Sequence, residues 1–359
     1  MDMPSRRATL GGALATPFLL ANRLRAAPSR KVQLTLPWVA EGSNAFAFVA
    51  KANGYWAESG LDVEISRGYG SVAAAQAVGA GRFEFGLAVP AAAIQQASKG
   101  LPLISLTACT YDATMCVAVL VDSEVHTPKQ LDEKSIGSTV TSGEYPFLPA
   151  FAKAAGFDLS TVRTVKVDPN VRQRVLMEKQ VDAISGFAIS IAPVLAANNM
   201  HGRYMLYSNY GLANYGNALL TRPNVLKTDR KLCAAMALGA AKAVRFCLLN
   251  PKQALDIFLK AVPEAALAAN GPTQIATGLG IFNLTAIGAP AKQHGIGMSE
   301  LSDYVNMTDL VMKYLAAPGD KRPDARAMFT NEFVGDVKLT PNEWQKAEAN
   351  IKEYRGFFA

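Results

Sequence analysis

From Gln33 onward the hydrophobic period of the chain keeps switching between 2 and about 3.6, with Gly or Pro at many of the changeovers. Gln33–Leu36 reads as a strand, and Ser43 or Asn44 can cap a helix with Phe46, Val49 and Ala50 on one face. Leu61, Val63 and Ile65 alternate as a second strand, Ser71 caps an Ala-rich helix, and Phe83, Phe85 and Leu87 alternate as a third. Pro90 opens the next helix and Gly100 stops it. A segment with a helical period cannot bury one face as a strand, so this pattern commits the chain to βαβ units and a mainly parallel sheet, an α/β fold.

Strands at 103–109 and 115–122 come next. After Thr127-Pro128 the pattern restarts, with strands at 136–140, 162–167, 181–185 and 203–208 and helices at 145–155, 171–179 and 190–198. A strand at 217–222 leads into helices at 228–250, 251–261, 263–280 and 299–316. The first unit has too few strands for the helices that close the chain. The economical solution is a discontinuous first lobe, 31–122 with 215–335, interrupted by a second lobe at 123–214 and followed by a helical tail at 336–359. Hinges are then expected near 118–122 and 215–220.

The N-terminus is a separate matter. Ser5-Arg6-Arg7-Ala8-Thr9-Leu10, an apolar run from Gly11 to Ala21, then Arg23, Arg25 and Ala26-Ala27 have the layout of an export signal over residues 1–27. The Arg pair gives it a twin-arginine character. The full chain has 36 basic and 29 acidic residues, net +7. Without residues 1–27 it keeps 32 and 28, net +4. That charge is scattered, which argues against a nucleic-acid partner. No apolar stretch is expected to reach the ~18–20 residues that span a bilayer. The three histidines (126, 201, 294) lack metal-ligand spacing, and of the four cysteines only Cys109 and Cys116 could bridge, with buried thiols the alternative.

In open α/β sheets ligands sit beyond the C-terminal ends of the strands. The loops found there are Pro37–Asn44, Arg67–Ser71, Ala88–Pro90, Thr141–Tyr145 and Gly186–Ala188. The candidate ligand-binding residues are Trp38, Ser43, Asn44, Tyr69, Gly70, Ser71, Ala88, Val89, Thr141, Ser142, Gly143, Glu144, Tyr145, Phe187 and Asn217. Trp38 and Tyr69 are expected to stack on a flat ring, and Ser43, Asn44, Ser71, Ser142 and Asn217 to hydrogen-bond it. Glu41 and Glu144 could accept from ligand amino groups. Helix starts at 44, 71 and 145 would favour an oxygen-rich or anionic group. Arg67 is the only basic residue in these loops, which suits recognition by helix ends better than a guanidinium clamp. Gly68-x-Gly70 follows the wrong strand for a dinucleotide fingerprint, and no catalytic or metal motif is present, so no cofactor, metal or catalytic residue is expected.

Leu36-Pro37-Trp38, the run Asn44–Trp56 with its Ala52-Asn53-Gly54-Tyr55-Trp56, and Gly60-Leu61-Asp62-Val63-Glu64-Ile65 resemble the opening of one group of periplasmic binding proteins. This group is similar to the thiamin-pyrimidine synthases of yeast and to the nitrate, sulfonate and taurine binding proteins of ABC importers. The resemblance continues through Gly81–Gly86 and Val181-Asp182-Ala183. It implies a two-lobed type II periplasmic binding protein with a two-strand hinge, a small-molecule ligand, a permease partner in the inner membrane, a periplasmic location and a monomer. The implied function is delivery of a small aromatic, pyrimidine-like or organic-anion ligand, not an enzyme activity. The alternatives are a pyrimidine-precursor synthase and a ligand-sensing domain for a membrane receptor. The adjacent cysteines of the yeast enzymes are absent here, so their activity is not implied.

Overall fold

The computed structural model describes residues 29–358, so the expected export segment lies outside the described residues. Ten strands form two five-stranded sheets. The first holds β1 (Arg30–Thr35), β2 (Leu61–Ser66), β3 (Phe85–Ala88), β4 (Ile104–Ala108) and β10 (Ala218–Thr221) in the order β2-β1-β3-β10-β4. The second holds β5 (Met115–Leu120), β6 (Ser135–Ser138), β7 (Arg163–Lys166), β8 (Ala183–Phe187) and β9 (Gly202–Leu206) in the order β7-β6-β8-β5-β9.

Both sheets are mixed: in each, four strands share a direction, as expected, and one runs against them. β10 runs antiparallel to β3 and β4, and β5 runs antiparallel to β8 and β9. The cause is the path of the chain. It leaves the first sheet at the C-terminal end of β4 and enters the second from that same side. The incoming strand therefore begins where its parallel neighbours end. The return from β9 to β10 repeats this.

β5 pairs entirely within the second sheet, so the crossing falls at 109–114 and not near 118–122. The return runs through 207–217, slightly before the expected 215–220. The two crossings are bonded to each other: Gly216 N–H donates to the Thr110 carbonyl (3.1 Å), Ala113 N–H to that of Asn214 (2.9 Å), and Cys109 N–H to that of Asn217 (2.8 Å).

The helices of the first three βα units are α1 (Ala45–Ala52), α2 (Ser71–Gly79) and α3 (Pro90–Ser98). The second lobe carries α4 (Leu148–Ala155), α5 (Arg172–Met177) and α6 (Ala188–Ala197). After β10 come α7 (Pro223–Thr228), α8 (Arg230–Leu249), α9 (Pro251–Ala261), α10 (Pro263–Leu267), α11 (Gly271–Ala286), α12 (Ala289–His294) and α13 (Leu301–Tyr314). The tail carries α14 (Pro341–Asn350) and a 3-10 stretch, Lys352–Phe358. The single helix expected at 263–280 is broken at Asn270, whose φ of 56° is left-handed. α8 is long and apolar enough, by length and composition, to cross a membrane, contrary to the sequence expectation. Most of it is buried here, and it packs beside α1, where Gly239 makes room for the buried Trp56 indole, whose Nε1–H donates to the Met236 carbonyl (3.2 Å). All four cysteines are free and buried, so Cys109 and Cys116 form no bridge.

Candidate functional site

The cleft between the lobes holds about 520 Å³ of empty space, part of it open to solvent. Its walls come from five places. The loop after β1 contributes Pro37, Trp38, Glu41 and Ser43, and the start of α2 contributes Gly70 and Ser71. The second lobe contributes Ser142, Arg172, Phe187, Ile189 and Ser190. The two crossings supply Thr110, Asp112, Ala113, Gly216 and Asn217. Val89 completes the lining.

Of the fifteen expected residues, the structure brings eight to this cavity: Trp38, Ser43, Gly70, Ser71, Val89, Ser142, Phe187 and Asn217. The other seven lie elsewhere. Asn44 is buried and shapes the loop, its amide donating to the Val39 carbonyl (2.9 Å) while its Oδ1 accepts from Glu41 N–H (3.1 Å). Tyr69 is 53% exposed and faces outward, with the Arg67 guanidinium 4.7 Å from its ring centroid, so it does not stack in the cavity. Ala88 is buried at the end of β3. Thr141 donates its hydroxyl across the cleft to the Tyr69 carbonyl. Gly143 packs between Val89, Ser71 and Phe187. Glu144 is fully buried behind the wall, accepting from Ser142 and from Ser185 Oγ (3.1 Å). Tyr145 opens a 3-10 turn and does not line the cavity. Of the three expected helix starts, only that of α2 reaches the cavity, joined by the first turn of α6.

The largest departure from the sequence reading is Arg172. It is the first residue of α5, it is 1% exposed, and its guanidinium lies 4.5 Å from the Trp38 ring centroid. Its Nε and Nη1 have no hydrogen-bond partner among the described residues. Buried donors left unpaired cost free energy, which makes this group an incomplete contact within the cavity wall. A guanidinium is therefore present after all, and Arg67 is not it: Arg67 stays at the surface and donates to Asn170 Oδ1 (2.9 Å). The loop from Asp168 to Val171 also follows a strand, and that position is the available signal for Arg172.

Glu41, 8% exposed, spans the cleft. Its Oε1 accepts from Ser43 Oγ in its own lobe and from Ser190 Oγ in the other, both at 2.6 Å. Burial pushes the Glu41 and Glu144 carboxyls up from their ordinary range, and nearby Arg172 partly offsets this. Burial also lowers the Arg172 pKa, against the pull of Glu144 and Glu41. Asp112 is pushed up by burial while accepting from Thr114 N–H (2.8 Å).

Comparison with known proteins agrees with this architecture. The chain is similar to the formylaminopyrimidine-binding protein of Halalkalibacterium halodurans, 26% identical over 236 residues that cover 65% of this chain and 71% of that protein. A Haemophilus influenzae protein named for thiamine biosynthesis is 24% identical over 235 residues, covering 65% and 74%. Among solved structures, the alkanesulfonate-binding protein SsuA of Xanthomonas axonopodis pv. citri, bound to MOPS, superposes with a TM-score of 0.61 at 12% identity, covering 85% of this chain and 99% of that one. The periplasmic nitrate-binding protein NrtA of Synechocystis gives 0.57 at 12%, covering 92% and 91%. At such identities these two likenesses show the fold, the α/β periplasmic-binding-protein fold with two mixed sheets. The sequence match over residues 42–254, more than half the chain, carries the assignment further: the protein belongs to the NMT1/THI5 like family.

Proposed function

We propose that the chain is the substrate-binding component of an ABC-type importer. In this reading it closes its lobes on a small aromatic or heteroaromatic, pyrimidine-like ligand, or on an organic anion, and delivers it to an inner-membrane permease. The observation that carries the reading is the composition of the cavity wall. Both lobes and both crossing segments contribute to it, so a ligand there touches every part that moves in a hinge closure. The free face of Trp38 would stack on the ligand ring, with Ser43, Ser71, Ser142 and Asn217 as hydrogen-bonding partners. The named ligands of the relatives support a small planar or oxyanionic solute. Export by the twin-arginine route, a periplasmic location and a monomeric state belong to the same proposal.

Trp38 is the one tryptophan lining the cavity, so it also reports occupancy. Titration with pyrimidines, aromatic acids and sulfonates should change the intrinsic fluorescence and raise the melting temperature for one of these classes. Trp38→Phe should remove the fluorescence change and weaken binding. No response to any class by either readout would overturn the proposal, and turnover of a pyridoxal-type substrate would move the protein to the synthases.

A further inference from the structure

The lobes are joined at more than the two crossings. α14 is fixed to the first lobe: Ala347 is buried in its core, Asn350 Nδ2 donates to the Leu248 carbonyl near the end of α8 (2.8 Å), and Lys292 of α12 pairs with Glu348 (2.6 Å). The 3-10 stretch Lys352–Phe358 continues along α11. There Tyr354 lays its ring on Gly280, where a Cβ would stand 2.1 Å from a ring carbon, and stacks with Phe357 (centroids 6.3 Å apart). Phe358 reaches the second lobe. It meets the Tyr204 ring of β9 edge-on, with centroids 6.1 Å apart and planes at 85°, and packs against the apolar cluster that includes Cys116, Ala118 and Leu206. It also lines a groove walled by both crossings, with Tyr111 from one and Tyr215 from the other. The tail therefore passes the hinge and holds a different lobe at each end.

Tyr354 and Gly280 move with the first lobe, and Tyr204 moves with the second. A rotation about the crossings strains or breaks the Phe358–Tyr204 contact. Here that contact coexists with bonds that form only when the lobes meet, from Val72 N–H to the Thr141 carbonyl (3.2 Å) and from Ser190 Oγ to Glu41 (2.6 Å). A contact made in the closed arrangement and lost on opening stabilises the closed one. Its strength is modest: an edge-on aromatic pair shifts an equilibrium by about 2- to 10-fold beyond the area it buries. We infer that residues 352–358 are a releasable strap that biases the lobes toward closure from the hinge side, outside the cavity. A ligand selective for the closed form then meets it more often and binds more tightly than the cavity contacts alone dictate. Of the solute-binding reading above, this strap needs only that the lobes open and close.

Native-state hydrogen exchange tests it without a ligand. Val72 lies in the first turn of α2, where an amide has no intrahelical acceptor, and it donates to Thr141 of the other lobe. Its exchange therefore reports opening of the cleft, while the paired amides of β1 and β6 report unfolding of a lobe. Phe358→Ala should speed Val72 exchange about 2- to 10-fold and change the sheet amides less. Gly280→Ala, which evicts the Tyr354 ring at the other end of the strap, should do the same. Unchanged Val72 exchange in both variants, or acceleration only in step with the sheet amides, overturns the strap and leaves the solute-binding reading standing. If Val72 in the wild type exchanges no faster than those sheet amides, the lobes stay shut and both fall.

Discussion

Replacing Gly70 with alanine should hold the two lobes apart. Gly70 has φ 120° and ψ 150°, and an added Cβ would run into the Thr141 carbonyl and lie 2.8 Å from Ser142 N, all backbone atoms of the opposite lobe. Backbone cannot swing aside as a side chain can, so the lobes would have to part here by about 1.5–2 Å to restore ordinary contact distances. Two interlobe hydrogen bonds sit at this point, from Val72 N–H to the Thr141 carbonyl (3.2 Å) and from the Thr141 hydroxyl to the Tyr69 carbonyl. Such a shift takes both beyond bonding range. At about 0.5–1.5 kcal/mol each, their loss costs the closed form about 1–3 kcal/mol, or about 5- to 150-fold in ligand affinity. Alanine at this φ adds a backbone strain of about 1–3 kcal/mol. Open and closed forms share that strain, so it lowers the melting temperature of the free protein and leaves affinity alone. The assay is calorimetry for affinity together with small-angle scattering with and without ligand. The wild type should contract on binding, and Gly70→Ala should bind more weakly and contract less. A variant that binds and contracts like the wild type would refute the claim that this contact seals the cleft.

Arg172→Leu removes the one positive group that draws Glu144 and Glu41 downward, so their folded pKa values, already raised by burial, should rise further. A carboxyl raised in the folded state contributes stability below its unfolded pKa and loses it as pH rises through the folded value. The melting-temperature gap between variant and wild type should therefore widen from pH 5 to pH 8, and a pH-independent gap would contradict this. Asp229 caps α8 by accepting from Leu232 N–H (3.1 Å), and its partner Arg30 holds its carboxyl below the usual range. Asp229→Ala should cost about 0.5–2 kcal/mol in urea melts at pH 7, mostly through the cap, because the exposed ion pair adds little. That stability exists above the unfolded carboxylate pKa and is lost as pH falls through the depressed folded one, so the difference should shrink by pH 3.

The alternating period locates nearly every strand and helix because each element buries one face, and burial leaves its period in the residues. Direction leaves no such trace. Met115–Leu120 reads the same whether it runs with its neighbours or against them, and only the crossing from the first sheet fixes its sense. The lobe boundary expected at Asp122 is displaced for the same reason: nothing apolar marks which sheet β5 joins. In the site, Trp38 and the Gly70-Ser71 turn are legible because a Pro beside an aromatic at a strand end, and Gly-Ser at a helix start, suit a loop at a ligand better than a packed core. Tyr69 is not legible in this way, because the Gly70 turn sends the neighbouring side chain outward, a consequence of geometry rather than composition. Arg172 escapes the sequence because Arg172-Gln173-Arg174 reads as a solvated helix start. It is covered by Trp38 of the other lobe and by Gly186 of its own, contacts absent from the local sequence.

The paired crossings have a modular consequence. β4 and β10 are neighbours in the first sheet, with Ala108 opposite Ala218, and β5 and β9 are neighbours in the second, with Cys116 opposite Leu206. The second lobe is thus a cassette whose two ends emerge side by side from the same edge. A short hairpin turn could reconnect the first lobe without it, and the cassette could be exchanged for that of a relative without rerouting any strand. Each such chimera would combine the Trp38–Glu41 half of the cavity with another protein's version of Ser142, Arg172 and Ser190. Selectivity in this architecture can therefore change by recombination of halves as well as by point substitution.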